Sequence, residues 1–226
     1  MAEKHGKLQE VRLTTPVSAE AIAGLKLGQV VYLDGVVYTG REGVYRRILD
    51  EGLAPPVDLA GLSNVNFHCS PAAAVAEDGS TNVGAVTATA SFRFSKWMAR
   101  WFEVSGARVI LGKGGMPEKD YKSVFVPAGA VYLTTVGYGT GALLGRGIRH
   151  VRAVHWLEEL GIAQALWVFE VENFGPFLVE SDAQGNSLFE SHNRKLAARI
   201  EALYEGLKPP ALRRFGETDD RTDELI

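Results

Sequence analysis

The amino-acid sequence predicts an α/β fold in which a mixed sheet is combined with short helices in a single domain. Apolar runs of strand length outnumber long helical patterns, and the two kinds of segment alternate along the chain. The 25 glycines lie in short motifs between these runs, which indicates many tight turns. A length of 226 residues suits one domain with a tail.

The predicted domain occupies residues 13–208. Residues 1–12 are expected to form a flexible lead-in. Residues 209–226 form a polar, acidic tail, which is expected to be disordered toward its end because it has too few apolar residues to bury.

The composition excludes several functional classes. With 23% charged residues and a net charge of −3, the chain lacks the basic excess of proteins that bind nucleic acids or anionic membranes. No apolar run is long enough to span a membrane or to form a signal peptide, so we expect a soluble, cytoplasmic protein. The single cysteine, Cys69, excludes a disulfide framework or a cysteine-ligated metal centre built by this chain alone.

Before residue 80 the patterns predict helices and a hairpin. Ser18 is a typical N-cap for a short helix that follows it. Residues 29–40 predict two strands joined at Asp34–Gly35, a dipeptide common in hairpin turns. The later elements of this part are a helix over 41–51, a short strand over 64–69 and a turn at Ser70–Pro71.

An amphipathic helix dominates the middle of the chain. Its apolar face is formed by residues at helical spacing: Phe94, Trp97, Met98, Trp101 and Phe102. Thr89 and Ser91 precede it at positions typical of capping hydroxyls, and Arg93 lies in its first turn. A short buried strand and the glycine turn 112–115, which contains Lys113, follow it.

The last third predicts further strands and a C-terminal helix. Residues 157–165 read as irregular, and residues 166–182 as two strands around Asn173–Pro176. An amphipathic helix is predicted from Ser191 to Gly206, with a core-facing stripe formed by Leu196, Ile200, Leu203 and Tyr204.

Two familiar motifs are weak here. Residues 137–142 match a dinucleotide-binding glycine pattern, but the helix after them is too short, so backbone packing or carboxylate binding is favoured. His68 and Cys69 are adjacent, yet neighbours on a strand point to opposite faces. Cys69 therefore reads as a small buried residue, and His68 as a residue that either faces a ligand or lies in the core.

Three cations occur in turns: Arg41 after a strand, Arg93 at a helix start and Lys113 between glycines. Each alone is typical of a solvated surface charge. Together in one cleft they would bind a small dianion through charge-assisted hydrogen bonds.

A family resemblance favours the second interpretation. The chain contains, in order, LKLGQVVYLDGVVYTGRE, PPVDLAGLSNVNFHCSP, SFR, GKGGM, AVHWLEELG, ALWVFEVENFGPFLV and DAQGNSL. Over about residues 13–196 it resembles the β subunit, or C-terminal domain, of class I fumarases and L-tartrate dehydratases. GKGGM and the runs around it look closest to the two-subunit tartrate dehydratases.

The resemblance implies a swivelling β/β/α domain and a hydro-lyase that adds water to, or removes it from, a dicarboxylate. It also implies a [4Fe–4S] cluster held by the cysteines of an α subunit, with no metal ligated by this chain. The active site would then lie between the subunits of an αβ or α2β2 enzyme.

The resemblance also assigns roles to individual residues. Thr89 matches a threonine that abstracts the proton, and Arg93 and Lys113 match catalytic cations around it. Arg41 matches a substrate-binding arginine. With Ser91 and His68 it forms the predicted substrate-binding set.

The chain departs from the family motifs at several positions. The G-P-T-T-S-x-R motif appears as residues 87–93, with Ala90 in place of the second threonine. The R-D-x-x-H motif appears with Glu42 for the aspartate and Tyr45 for the histidine. These changes leave two alternatives open: a non-catalytic or regulatory partner of the α subunit, and a free-standing domain that binds a small organic anion.

Overall fold

The computed structural model describes residues 8–77 and 81–204. The chain divides into two compact units, Met1–Phe189 and Glu190–Ile226. The predicted tail lies outside the described residues. No helix in the described ranges has the length and apolar composition that crossing a lipid bilayer requires.

The strands of the described residues alternate with short helices. The strands are β1 (Glu10–Thr14), β2 (Val30–Thr39), β3 (Val65–Phe67), β4 (Cys69–Val75), β5 (Thr81–Ala88), β6 (Val109–Gly112), β7 (Val131–Thr135), β8 (Ile148–His155) and β9 (Leu166–Ser181). The helices are α1 (Ala19–Ala23), α2 (Glu42–Tyr45), α3 (Leu59–Leu62), α4 (Ser95–Ser105), α5 (Glu118–Asp120), α6 (Gly141–Gly147), α7 (Leu157–Leu160) and α8 (Leu188–Tyr204).

Some of these helices are extended by tighter or wider turns. Arg46–Asp50 continues α2, and Tyr121–Phe125 continues α5, in both cases as a π-helical turn. A 3₁₀ turn, Ser91–Phe94, leads into α4, and another, Tyr138–Thr140, leads into α6.

The main sheet is mixed, as predicted. Its strand order is β1-β2-β3-β6-β7-β9-β8, and β2 also pairs with β9. Strands β1, β2, β3, β6 and β7 are parallel to one another. Strand β9 runs antiparallel to β2, β7 and β8. The pairings therefore close into a ring, β2-β3-β6-β7-β9 and back to β2. A separate two-stranded sheet is formed by β4 and β5.

Alternate residues of the ring strands supply two different apolar clusters. The first cluster contains Phe67, Leu111 and Trp167, and the β4–β5 sheet adds Cys69. The second contains the intervening residues of the same strands packed against α2 and α4, for example Ile110. The ring thus separates one core from the other.

Several local predictions are confirmed. The Ser18 side chain accepts a hydrogen bond from the Ala21 amide and caps α1. All five apolar residues predicted to form the face of α4 are buried. That helix ends at Gly106, whose left-handed backbone (φ 67°) suits glycine.

The predicted hairpin at Asp34–Gly35 is wrong, because β2 runs through it as one strand. Gly35 (φ 114°) forms an irregularity in the pairing with β9, and a Cβ there would lie 2.5 Å from Thr15 Oγ1. The Thr15 hydroxyl accepts a hydrogen bond from the Val36 amide at this point (2.6 Å).

The two strands predicted around Asn173–Pro176 are likewise one strand, β9, of 16 residues. Asn173 (φ 51°) interrupts it without ending it. The Asn173 amide donates to Asp34 Oδ1 (2.6 Å), so the irregularities of β2 and β9 face each other. Asp34–Gly35 and Asn173, which have sequences typical of turns, therefore form irregularities that face each other within the β2–β9 pairing.

Other boundaries also differ from the prediction. β1 begins inside the predicted lead-in and pairs with β2, and the predicted turn at Ser70–Pro71 lies within β4. Part of the irregular stretch 157–165 is helix α7. In α8, three of the residues predicted to face the core are exposed: Leu196, Ile200 and Leu203.

Candidate active site

The predicted site residues follow the carboxyl ends of neighbouring parallel strands. Arg41 comes two residues after β2, His68 directly after β3, and Lys113 directly after β6. Because β2, β3 and β6 are parallel and adjacent, these ends meet at one edge of the sheet.

The segment Thr89–Ser91, which follows β5, lies along this edge. The Thr89 amide donates to the His68 carbonyl (2.7 Å), and the Lys113 amide donates to the Thr89 carbonyl (3.2 Å). The Ser91 amide donates to the Lys113 carbonyl (3.3 Å), and Ala90 forms a parallel bridge with Lys113. Thr89 and Lys113 are thus joined through their main chains.

The predicted helix caps are wrong. Ala90 precedes the 3₁₀ turn, and no side chain caps either this turn or α4. The Ser91 hydroxyl is engaged elsewhere, because Tyr132 donates to it (2.7 Å) and His68 Nδ1 lies 2.7 Å from it. Arg93 is exposed in the turn, with its guanidinium 5.7 Å from the Phe94 ring centre.

Behind this segment lies a buried chain of polar side chains. Asn66 Nδ2 donates to the Tyr45 hydroxyl (3.2 Å), which lies 2.7 Å from His68 Nε2. His68 Nδ1 then contacts Ser91, which receives the hydrogen bond from Tyr132. All five residues are buried.

His68 is the neutral residue at the centre of these hydrogen-bonded side chains. Burial, followed by the positive charge of Arg41, lowers the pKa of His68 from its ordinary 6.5 to about 3. Its exposed fraction is 0%, as is that of Ser91, and both ring nitrogens are engaged. The structure therefore places His68 and Ser91 behind Thr89, as supports for the edge and not at its surface.

Arg41 is partly buried and lies beside the β4 strand. Its Nη1 donates to the Ser70 hydroxyl and to the Ala163 carbonyl (2.7 Å), whereas its buried Nε has no hydrogen-bond partner among the described residues. Burial, and then the charge of Arg93, lower the pKa of Arg41. Arg41 thus feels the charges of both Arg93 and the neighbouring Glu42, and neither guanidinium forms an ion pair within the described ranges.

Lys113 lines a groove of about 300 Å³ at the same edge. The remaining residues of the groove are Ala90, Gly114, Thr134, Thr135, Gly137 and Phe189. Sequence reasoning missed Thr134 and Thr135, although their position at the end of a buried strand beside β6 is a usable signal. It also missed Tyr45 and Tyr132, because no local pattern marks a tyrosine whose partner lies on another strand.

Cys69 is unsuited to metal binding or nucleophilic attack. It belongs to the first apolar cluster, and burial raises the pKa of its thiol well above the ordinary range. In the part of the chain that the structure describes, no group of three or more His, Cys, Asp or Glu side chains could hold a metal ion.

One glycine of the motif at residues 137–142, Gly141, packs against backbone, as does Gly145 just after it. A Cβ at Gly141 would lie 3.0 Å from the Val86 carbonyl oxygen, and one at Gly145 would lie 2.8 Å from the carbonyl carbon of Gly84. Glycines therefore let α6, which has only seven residues, lie directly on the β5 backbone.

Comparisons with known proteins identify the family of the chain. The family model described as "Fumarase C-terminus" matches residues 1–192. A putative L(+)-tartrate dehydratase subunit beta from Methanocaldococcus jannaschii is 34% identical over 79% of this chain and 91% of its own length. L(+)-tartrate dehydratase subunit beta from Escherichia coli K12 is 31% identical over 85% of this chain and 93% of its own length.

A longer relative shows the same relationship. A putative class I fumarate hydratase from Geobacillus stearothermophilus is 31% identical over 91% of this chain, which spans only 38% of that protein. The activities named for these relatives are both those of hydro-lyases. From the family match and these identities, we conclude that the chain belongs to the fumarase C-terminus family.

Proposed function

We propose that this chain is the β subunit of a [4Fe–4S]-dependent hydro-lyase that hydrates or dehydrates a small dicarboxylate such as fumarate or tartrate. Two observations support the proposal: the charge of Arg93 acts on Arg41, and the main chains of Thr89 and Lys113 are hydrogen-bonded at the same edge of the sheet. The names of the relatives supply the reaction class.

The three cations suit the binding of a dianion. A guanidinium binds a carboxylate with two parallel, charge-assisted hydrogen bonds, and an ammonium adds a point charge. The unpartnered Nε of Arg41 gives this residue a donor to offer a ligand. Burial is the main reason why the pKa of Arg41 is lowered, and the charge of Arg93 adds to it, so a bound dicarboxylate would also relieve the repulsion between the two guanidiniums.

In the proposed reaction Thr89 moves the proton. During dehydration a C–H bond next to a carboxylate and the C–O bond of the hydroxyl break, a C=C bond forms, and water leaves. Ionised Thr89 takes the proton from carbon and then gives it up to the departing hydroxide, so that water leaves and the threonine is ionised again; hydration runs these steps in reverse. The cations hold the carboxylates and favour the ionised form of the threonine hydroxyl.

The cluster belongs to the partner in this proposal. Cys69, the chain's single cysteine, lies inside the apolar core, and the described residues offer no ligand set, so we derive no step through a cluster held here. When bound on an α subunit, it would supply a Lewis-acidic iron for the substrate hydroxyl. The substrate would lie between that iron and the Thr89 edge in an αβ or α2β2 enzyme.

The proposal extends to the architecture. A ring of mixed strands, a second two-stranded sheet and helices are compatible with the swivelling β/β/α domain of the family resemblance. Its motion would bring the Thr89 edge toward the partner or away from it.

The test is anaerobic co-purification of the chain with the α-type protein produced beside it. Iron and sulfide are quantified, and the conjugated double bond is followed with fumarate, mesaconate and the tartrate isomers. We expect a complex with about four irons, as one [4Fe–4S] cluster requires, that turns over one of these acids. Absence of a complex would refute the subunit proposal.

Substitution of Arg93 tests the site itself. Arg93→Met is expected to lower kcat/KM by about 10- to 150-fold, the equivalent of losing charge-assisted hydrogen bonds worth about 1.5–3 kcal/mol. Arg149→Met is the matched control, because Arg149 is exposed and pairs with Glu172 outside the site. Equal effects of the two substitutions on kcat/KM would contradict the assignment of Arg93.

The second candidate is a non-catalytic or regulatory partner of the α subunit. Ala90 and Glu42 favour it, since both replace residues of the family motifs. The double substitution Ala90→Thr with Glu42→Asp separates the candidates. A subunit adapted to its own substrate should lose activity on that substrate, whereas an iron-loaded complex that is inert on every acid before the change supports the regulatory role.

A further inference from the structure

A buried chain of hydrogen bonds lies directly behind the edge that carries Thr89. It links Asn66, Tyr45, His68 and Ser91, and Tyr132 joins it at Ser91. Each contact between these side chains is 2.7–3.2 Å long. In a buried chain every proton needs an acceptor, so the contacts decide which way each hydroxyl and the imidazole point.

The Tyr132 end is set by the hydrogen bond that its own hydroxyl donates. The Tyr132 proton is then directed at Ser91 Oγ (2.7 Å). Ser91 Oγ is therefore an acceptor from Tyr132, and the proton of Ser91 must go elsewhere.

The Tyr45 end is determined by Asn66. Asn66 Nδ2 donates to the Tyr45 oxygen, so the Tyr45 proton needs an acceptor of its own. The acceptor within reach is His68 Nε2 (2.7 Å). An Nε2 that accepts carries no proton, and a neutral imidazole then carries its proton on Nδ1.

With the hydrogen bonds directed this way, every proton has an acceptor except the second proton of Asn66 Nδ2. Nδ1–H of His68 donates to Ser91 Oγ (2.7 Å), and the Ser91 proton is left for the Thr89 carbonyl (3.5 Å). The hydrogen bonds thus run from Asn66 through Tyr45 and His68 to Ser91, and they end on the peptide group of Thr89.

The reverse polarity is less well satisfied. If Nε2 of His68 carried the proton, Tyr45 would accept twice, and its own proton would have no acceptor unless the Asn66 amide were turned around. The turned amide would bury both protons of the NH₂ group without an acceptor, whereas the observed orientation leaves one of these protons and the carbonyl oxygen Oδ1 unpartnered. An unpaired buried donor is rarer in proteins than an under-used carbonyl.

We propose that His68 is a positioning residue that exists as the neutral Nδ1–H tautomer and holds Thr89–Ser91 in register with Lys113. The His68 carbonyl accepts from the Thr89 amide, and the His68 ring donates to the Ser91 hydroxyl. His68 therefore holds the Thr89–Ser91 segment by two hydrogen bonds. The segment in turn holds the Lys113 main chain through the Thr89 carbonyl and the Ser91 amide.

The first experiment measures the tautomer in the full-length chain with ¹⁵N-labelled histidine. The His68→Asn spectrum identifies the His68 signals among the five histidines. We expect the ¹⁵N shift of a protonated nitrogen at Nδ1 and of an unprotonated nitrogen at Nε2. The opposite pair of shifts, or a doubly protonated ring near neutral pH, would overturn the proposal.

The second experiment uses activity and rests on the proposed function. Asn places an amide donor near the position of Nδ1, and Gln places its amide near Nε2. In the complex with the α subunit, His68→Asn is expected to retain about tenfold more kcat than His68→Gln, the equivalent of one hydrogen bond. A purely structural role predicts equal losses, because both variants replace the ring by an amide.

Tyrosine variants provide a matched pair. Tyr132→Phe removes the second donor to Ser91 and is expected to lower kcat about tenfold. Tyr38→Phe removes a hydroxyl that is equally buried but takes no part in this series of hydrogen bonds, and it should leave kcat unchanged. Equal kcat values for the two variants would overturn the positioning role.

The two experiments separate two kinds of failure. A wild-type complex without turnover would refute the proposed function, but the tautomer measurement would still decide the polarity of the chain. An active complex with an Nε2–H imidazole would refute the present inference alone.

Discussion

The imidazole of His68 is held uncharged by its surroundings. It is fully buried, it contacts the hydroxyls of Tyr45 and Ser91, and the nearby charge of Arg41 disfavours a proton on it. A protonated ring here would need two acceptors and a counter-charge. The folded chain therefore excludes a proton that the unfolded chain accepts.

This exclusion predicts a dependence of stability on pH. The folded pKa of His68 is about 3, below its ordinary 6.5, so between these values the unfolded state binds more protons. The contribution to stability is complete above pH 6.5 and is lost as the pH falls toward 3. We expect the free energy of unfolding to decrease by at most about 1.4 kcal/mol per pH unit from this one group.

The measurement is the denaturation midpoint between pH 7 and pH 4 for the wild type and for His68→Asn. The variant should show a smaller slope, whatever its stability at neutral pH. His150→Asn is the control, because His150 is exposed on β8. If His68→Asn left the pH dependence of the denaturation midpoint unchanged, His68 would not be the cause of that dependence.

Sequence reasoning at this scale succeeded where a local rule applied. Alternation predicted that Cys69 and its neighbour His68 point to opposite sides, and Cys69 does lie in the first apolar cluster while the His68 ring contacts Phe94 of the second, although β3 ends before His68 and β4 begins at Cys69. It failed for Ser91, which reads as a helix cap, whereas its hydroxyl accepts from Tyr132 and contacts the ring of His68. Contacts between distant residues leave no trace in local spacing.

At the scale of elements, glycines decide how closely α6 approaches the sheet. A Cβ at Gly145 would contact the backbone of β5, with Ala85 Cα at 3.0 Å. Backbone atoms cannot move aside as the end of a flexible side chain can. The approach therefore depends on the absence of a side chain.

We expect Gly145→Ala to destabilise the protein by about 1–3 kcal/mol, the usual cost of overpacking. The cost arises because α6 must move away from β5. Gly139→Ala is the control: its Cβ would meet nothing within 4 Å, so a change within about 0.5 kcal/mol is expected. Urea denaturation of both variants checks this, and equal stability would show that α6 does not rest on β5.

The strands show why turn signals can mislead. Asp34–Gly35 and Asn173 have the composition of turns, yet each lies inside a long strand. The Asp34 carboxylate accepts from the Asn173 amide, so each irregularity compensates the other. A single sequence shows both signals but not their pairing.

At the scale of the whole molecule, one ring of strands separates two cores. Phe169 belongs to the first apolar cluster and Leu166 to the second, although both are on β9. The ladder that joins β9 to β2, β7 and β8 is common to both cores. Loss of either core should therefore open the same set of strands.

We expect Leu166→Ala and Phe169→Ala to lower the stability of one and the same unfolding transition, by about 2–5 and 3–5 kcal/mol. Differential scanning calorimetry of the full-length chain measures the number of transitions and their midpoints. Wild type and variants should each show one transition for the sheet. Separate transitions, each sensitive to only one variant, would show that the cores unfold independently.

The sequence predicted the class of this fold, its helix α4 and the cations of the candidate site. It could not predict the closed ring, because ring closure depends on β9 pairing with both β2 and β7. Nor could spacing alone bring Arg41 and Arg93 together, since 52 positions separate them in the printed sequence. The family resemblance, and not periodicity, supplied that grouping.

The bridge between Ala90 and Lys113 has a mechanical consequence. The segments of Thr89 and Lys113 share main-chain hydrogen bonds, so they form one rigid unit. A movement of this unit changes the position of both residues but not the distance between them. Arg41 is anchored separately, through Ser70 and Ala163. Under the proposed function, a change in the position of Arg41 would therefore alter the length of the acid that fits, without disturbing the hydrogen bonds between the Thr89 and Lys113 segments.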